Sequence, residues 1–115
     1  MEHYAWDAVK KEILNDKIWR KVITGEKITV AQLFLAKGAV VPDHHHESEQ
    51  ISNIIQGSVR FELEGREIIV RAGEALCIPS NVPHKVVALE DTHAMDIFSP
   101  IRMDWLTGQD SYLRK

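Results

Sequence analysis

At 115 residues, the chain is long enough to bury one core and too short to divide into two, so a single domain over 1–115 is expected. Hydrophobic residues at 44% and charged residues at 27% describe a globular chain, and no apolar run is long enough to cross a bilayer, so no membrane partner is expected. The net charge of −3 comes with scattered rather than clustered Lys and Arg, which leaves no electrostatic footprint for nucleic acid.

The first fifteen residues, MEHYAWDAVKKEILN, mix charges with apolar residues and contain no long apolar stretch. They do not read as a secretory signal, and a cytoplasmic location is expected. Within this N-terminal extension (1–16), residues 6–13 suit either a short helical turn or an added strand. From Lys17 onward the chain breaks into short runs rich in Val, Ile and Phe, punctuated by glycine, proline or charged pairs, which is an all-β rhythm. Strands are expected over 18–23, 28–35, 50–55, 58–64, 66–70, 74–78, 84–89 and 93–98. The stretch from Gly38 to Pro42 is taken as a turn. In SVRFELE, Val59, Phe61 and Leu63 alternate with Arg60, Glu62 and Glu64, so one face is buried and the other wet. Many short strands without helices point to a closed barrel or a double-sheet jelly roll over about 17–99. In the C-terminal tail (100–115), PIRMDWL has the composition to cap one mouth of the barrel.

Cys77 is the only cysteine, which excludes an internal disulfide and any thiolate metal cluster; it is expected to be a small buried hydrophobe. Trp6, Trp19 and Trp105 are expected in packing or at an interface. His3 lies near a terminus, and His93 opens a strand where it can face water, so neither is assigned a function.

The remaining histidines carry chemistry. Three stand together in DHHHESEQ, and a fourth, His84, follows a proline thirty-eight residues after His46. In an extended strand residues two apart share a face, so His44 and His46 can converge on one ion while His45 points away. If a bend after Glu47 restarts the strand, the amide oxygen of Gln50 can reach the same point. Ser52 and Gln56 continue that face, with Ile51 and Ile55 on the other. Taken on composition alone, the cluster would equally suit a solvated loop.

GAVVPDHHHESEQISNIIQG resembles the first cupin motif, in which a glycine precedes His-x-His, a carboxylate and a second glycine. Gly38, His44, His46 and Gly57 match it, and Gln50 stands where most cupins have glutamate. GEALCIPSNVPHKVVA is similar to the second cupin motif through Gly73, Pro79 and His84, with Asn81 in place of a glycine and Ala88 in place of an asparagine. The resemblance, from about Ile28 to Phe98, implies an all-β fold, the cupin jelly-roll β-barrel (double-stranded β-helix), that often dimerises. It also implies one divalent transition-metal ion, zinc, nickel, iron, manganese or copper, on His44, His46, Gln50 and His84. With three imidazoles and an amide, no ligand charge would compensate the ion, which makes it a stronger Lewis acid and favours an anionic small-molecule substrate.

A narrower resemblance follows. VPHKVVALEDTHAMDIFSPIRMDWL, with Glu49 and Gln50, is similar to the pectin-degradation KdgF-type cupins. These bind metal through three histidines and a glutamine, and open and ketonise 4,5-unsaturated monouronates from pectin or alginate breakdown. Their functional aspartate, phenylalanine and arginine fall on Asp96, Phe98 and Arg102. Alternation independently places Asp96 and Phe98 on one face of a strand, with Met95 and Ile97 on the other. For Arg102 the resemblance implies bidentate pairing with a substrate carboxylate, and neighbouring Asp104 is a competing partner. Asn53 departs from the aromatic residue that often follows the Glu-Gln pair. A metal-dependent cupin dioxygenase, a polyketide-cyclase-like cupin and a non-enzymatic small-molecule-binding cupin are the alternative readings.

Overall fold

Period-two alternation is realised along most of the chain. The structure, a computed structural model, describes residues 1–114, and Lys115 of the expected tail lies outside the described residues. After a 3₁₀ turn at Trp6–Ala8 come β1 (Glu12–Asn15), β2 (Ile18–Thr24), β3 (Thr29–Leu35), β4 (Val40–His44) and β5 (Glu49–Gln56). They are followed by β6 (Ser58–Leu63), β7 (Arg66–Arg71), β8 (Ala75–Ile78), β9 (His84–Ala88) and β10 (Thr92–Ser99). A single helical turn, α1 (Met103–Leu106), and a 3₁₀ turn at Ser111–Leu113 complete it. All strand pairs are antiparallel, in a six-stranded sheet ordered β1, β2, β3, β10, β5, β8 and a four-stranded sheet ordered β4, β9, β6, β7. This is the all-β jelly roll expected from the punctuation. Among the described residues no helix is long and apolar enough to cross a membrane.

The inner faces bury Ile54, Val59, Phe61, Leu63, Val70, Ile78, Val86 and Ala94 in one cluster, and Leu14, Ile18, Leu35, Ala39, Ala88 and Leu113 in another. Burying each large apolar side chain contributes about 1.5–3 kcal/mol, which drives the two sheets together. Leu113 belongs to the second cluster, so the tail is held to the barrel by packing.

The N-terminal segment, open between a helical turn and an added strand, forms both, a 3₁₀ turn followed by β1. Three expectations are corrected. The supposed turn over 38–42 is largely β4, and Pro42 is tolerated because β4 is an edge strand whose register shifts between Val41 and His44. Cys77 is exposed, because Leu76 and Ile78 take the inward positions of β8 and leave Cys77 opposite Ile51 on the outer face. Gln56 is exposed, since a register shift opposite His93 and Ala94 ends the inward run of β5 at Ile54.

Two motif positions acquire physical reasons. Asn81, where the motif has glycine, adopts φ +63, a left-handed conformation that asparagine tolerates better than most residues. At Gly57, φ is +94, and an added Cβ would fall 2.4 Å from the Asp91 carbonyl oxygen and 2.8 Å from Thr92 Cα, so no side chain fits.

Candidate metal centre

Opposed sheets bring the expected ligands together. His44 ends β4 and His84 opens β9, directly opposite one another in the four-stranded sheet. Gln50 comes from β5 in the six-stranded sheet, and His46 from the segment between β4 and β5. A bend at Glu47 and Ser48 restarts the strand at Glu49 and turns Gln50 inward, where it is buried. Asn81 donates its backbone N–H to the His46 carbonyl at 2.8 Å, tying this segment to the loop before β9. The potential ligand nitrogens of His44, His46 and His84 lie within 4.8 Å of one another, a spacing one metal ion can bridge. His45 is exposed, as alternation requires.

Proton positions follow from the partners. Nδ1 of His44, His46 and His84 lies 2.8 Å from the backbone carbonyls of Pro42, Ser48 and Val82 respectively. A carbonyl only accepts, so each Nδ1 carries the proton and each Nε2 presents a lone pair. His84 Nε2 is buried with no hydrogen-bond partner among the described residues. His46 Nε2 lies 3.0 Å from Gln50 Oε1. The orientation of that amide is set by its other end, where Gln50 Nε2 donates to Ser52 Oγ at 2.8 Å and Asp96 Oδ2 at 3.2 Å. Two acceptors therefore face each other, an arrangement a cation between them satisfies. Protonating His46 does not relieve it near neutral pH. Burial, with the charges of Arg102 and His84, depresses His46 to about 4 despite its contacts with Ser48 and Gln50. Burial and His84 likewise lower His44 to about 3, and burial lowers His84. Neutral, convergent imidazoles and a fixed amide oxygen fit a divalent transition metal.

His44, Gln50 and His84 line a cavity of about 60 Å³ between the sheets, together with Ser52, Asp96, Phe98, Arg102, Trp105 and Tyr112. Cross-strand pairing places Asp96 beside Ser52 and Phe98 beside Gln50. Asp96 is 8% exposed, and its Oδ1 is buried without a partner. Burial drives the carboxyl up to about 7, against opposing effects of the Ser52 hydroxyl and the Arg102 charge. Phe98 packs edge-on against His46 and Trp105.

Arg102 is 2% exposed and lies over the rings of Phe98 and Trp105. Its fork is already engaged: Nε and Nη2 donate to the two carboxylate oxygens of Asp104 at 2.9 and 2.7 Å, and Nη2 also donates to Tyr112 Oη at 2.6 Å. The bidentate edge expected for substrate thus belongs to Asp104. For Asp104 itself, burial raises the carboxyl while the Arg102 hydrogen bond and charge outweigh it, leaving it below the usual range. Trp105 forms part of the cavity wall rather than remote packing, whereas Trp19 packs on the outer face with Phe34 and exposed His93. Tyr112, which sequence reading passes over, stacks on His44 at 4.6 Å between ring centroids. Its signal was faint, an aromatic residue beside an apolar one in a tail with no repeating period.

A two-sheet jelly roll with histidines converging from β4 and β9 defines a class, and the family model described as a cupin domain matches residues 32–99. This chain belongs to the cupin family. It is 36% identical over 103 residues to the pectin degradation protein KdgF of Dickeya dadantii (strain 3937), covering 87% of this chain and 94% of that protein. The structure of KdgF from Halomonas sp. superposes with a TM-score of 0.83 at 31% identity, covering 90% of this chain and 99% of that one. An RmlC-like cupin from Shewanella frigidimarina NCIMB 400 shares the fold, with a TM-score of 0.84 at 23% identity over 91% of this chain and 96% of the other.

Proposed function

We propose that the protein opens and ketonises 4,5-unsaturated monouronates, using a divalent metal ion held by His44, His46, Gln50 and His84. The observation that carries this reading is Asp96, a buried carboxyl with a free oxygen, on the wall of the cavity that His44, Gln50 and His84 also line. Similarity to KdgF supplies the substrate class.

In such a uronate the C4–C5 double bond is an enol ether of the ring oxygen. Breaking the bond between C1 and the ring oxygen turns C1 into an aldehyde as its hydroxyl loses a proton, and leaves an enol at C5. Moving the enol proton to C4 gives the ketone, so the net change is an isomerisation with no co-reactant. Asp96, raised to about 7, populates both protonation states near neutral pH and can give a proton to C4 and recover one. Ser52 and the Gln50 amide hold its position. Arg102 places a positive charge near the substrate carboxylate, while Phe98 and Trp105 shape the wall and exclude water. When bound, the metal would supply a Lewis acid that draws electron density from substrate oxygens.

Loss of ultraviolet absorbance from unsaturated galacturonate or mannuronate, with metal content measured in parallel, tests this directly. Asp96→Asn should keep its metal and lose at least about 100-fold in rate. Full activity in that variant removes Asp96 from the mechanism, and no absorbance change with a stoichiometrically loaded protein overturns the reading.

A homodimer also has a surface on which to form. Ile23, Val30, Ile97, Ile51 and Cys77 stand in register across five strands on the outer face of the six-stranded sheet. Such an apolar row fits a second copy of the same face. Light scattering should give twice the chain mass for the wild type and a single chain for Ile97→Glu; a monomeric wild type removes this proposal.

A further inference from the structure

Building on the uronate reading above, we infer that Tyr112 is a specificity-determining residue, its hydroxyl and Arg102 Nη1 forming a two-donor clamp for the substrate carboxylate. With the Arg102 fork taken by Asp104, and Nη2 also bonded to Tyr112, Nη1 is the nitrogen that makes no hydrogen bond among the described residues. Tyr112 Oη accepts from Arg102 and passes its own hydrogen to no acceptor among the described residues. An anion in this cavity therefore meets two unused donors side by side, each on a residue that lines the wall.

The rest of the lining offers an anion one further unpartnered donor, the buried indole N–H of Trp105. Leu33, Val41, Ile54 and Val59 present no polar atoms, Asp96 accepts, and the Gln50 amide hydrogens are committed to Ser52 and Asp96. Position is held from both sides. The Tyr112 ring stacks on His44, and the adjoining Leu113 is buried with Leu14, Ile18 and Leu35. The tail thus sets the hydroxyl next to the cationic group instead of leaving it to search.

A fixed hydroxyl beside a guanidinium discriminates by charge: it strengthens binding of a carboxylate and adds little for a neutral sugar. The probes are galacturonate and galactose, titrated calorimetrically into zinc-loaded protein. Wild type should prefer galacturonate, and Tyr112→Phe, which keeps the ring stack and the Leu113 anchor, should lose about tenfold of that preference, or 1.4 kcal/mol. Zinc content and thermal midpoint should be unchanged, which separates the clamp from a structural role. Galacturonamide, with the shape but not the charge, should bind the wild type like galactose.

An unchanged preference in Tyr112→Phe overturns the clamp whether or not the protein turns over uronates. Loss of preference without any turnover of unsaturated uronate by the wild type upholds the clamp and rejects the catalytic reading. No preference in the wild type overturns the clamp, and the catalytic reading then stands or falls on the ultraviolet assay alone.

Discussion

Two arginines, Arg20 and Arg102, are buried to 1% and 2% exposure and lie over the same ring, that of Trp105, at 4.2 and 4.4 Å from its centre. Their surroundings make them different devices. Arg20 is closed off by Glu12 and by Asp110, which has no exposed surface, and it does not line the cavity. Arg102 is matched to Asp104, a half-buried acid, and lines the cavity beside Asp96 and Tyr112. The first pairing clips the tail to β1 and β2 across ninety residues of sequence. The second leaves a cation on the wall of the cavity. A buried guanidinium is a strut where protein surrounds it, and is open to a ligand where a cavity reaches it.

The largest effect that would test this contrast is on stability. Asp110→Ala leaves Arg20 buried without its main partner and should cost about 3–5 kcal/mol in chemical denaturation, with activity per folded molecule retained. Acid should reveal the same pair. Burial alone raises the Asp110 carboxyl, but the hydrogen bond and charge of Arg20, helped by Arg114, outweigh it and hold the group below the usual range. A depressed carboxyl contributes stability above its unfolded value and loses it as pH falls through the folded one. The stability gap between wild type and Asp110→Asn should therefore be level above about pH 5 and narrow below about pH 4. A gap that does not change with pH would show that the carboxylate charge is not what holds the tail.

Next in size is the opposite outcome at the other arginine. Arg102→Gln should lower kcat/KM on unsaturated uronate about 100-fold, equivalent to about 2.7 kcal/mol, while moving the denaturation midpoint less than Asp110→Ala does. Equal stability losses in the two variants would erase the distinction. Metal addition should reinforce it from the ligand side. Zinc at 100 times its dissociation constant should stabilise the wild type by about 2.7 kcal/mol, and His84→Ala should abolish that gain with Arg20 and Asp110 untouched. Smallest is Asp104→Asn, which keeps a hydrogen-bond acceptor and loses a charge; about 1 kcal/mol of stability is expected, with a modest rise in KM.

Much of the strand pattern was legible because it is local. Val59, Phe61 and Leu63 declare an inward face within seven residues, and Asp96 and Phe98 share a face simply by being two apart. Where local signals misled, a neighbour decided. Pro42 looks like a breaker until β4 is known to be an edge, and Cys77 looks like core until Leu76 and Ile78 are seen to occupy the inward positions.

By itself the sequence determined an all-β chain with His44, His46, Gln50 and His84 in the pattern of a cupin site, since alternation and motif spacing are properties of short segments. Tertiary structure alone decided that His44 and His84 face each other across β4 and β9 while Gln50 approaches from the other sheet. It also decided that Asp104 engages the Arg102 fork and that Tyr112 comes back to stack on His44, sixty-eight residues away in sequence. No periodicity encodes such meetings. They follow from how two sheets pack and where a buried leucine, Leu113, anchors the tail.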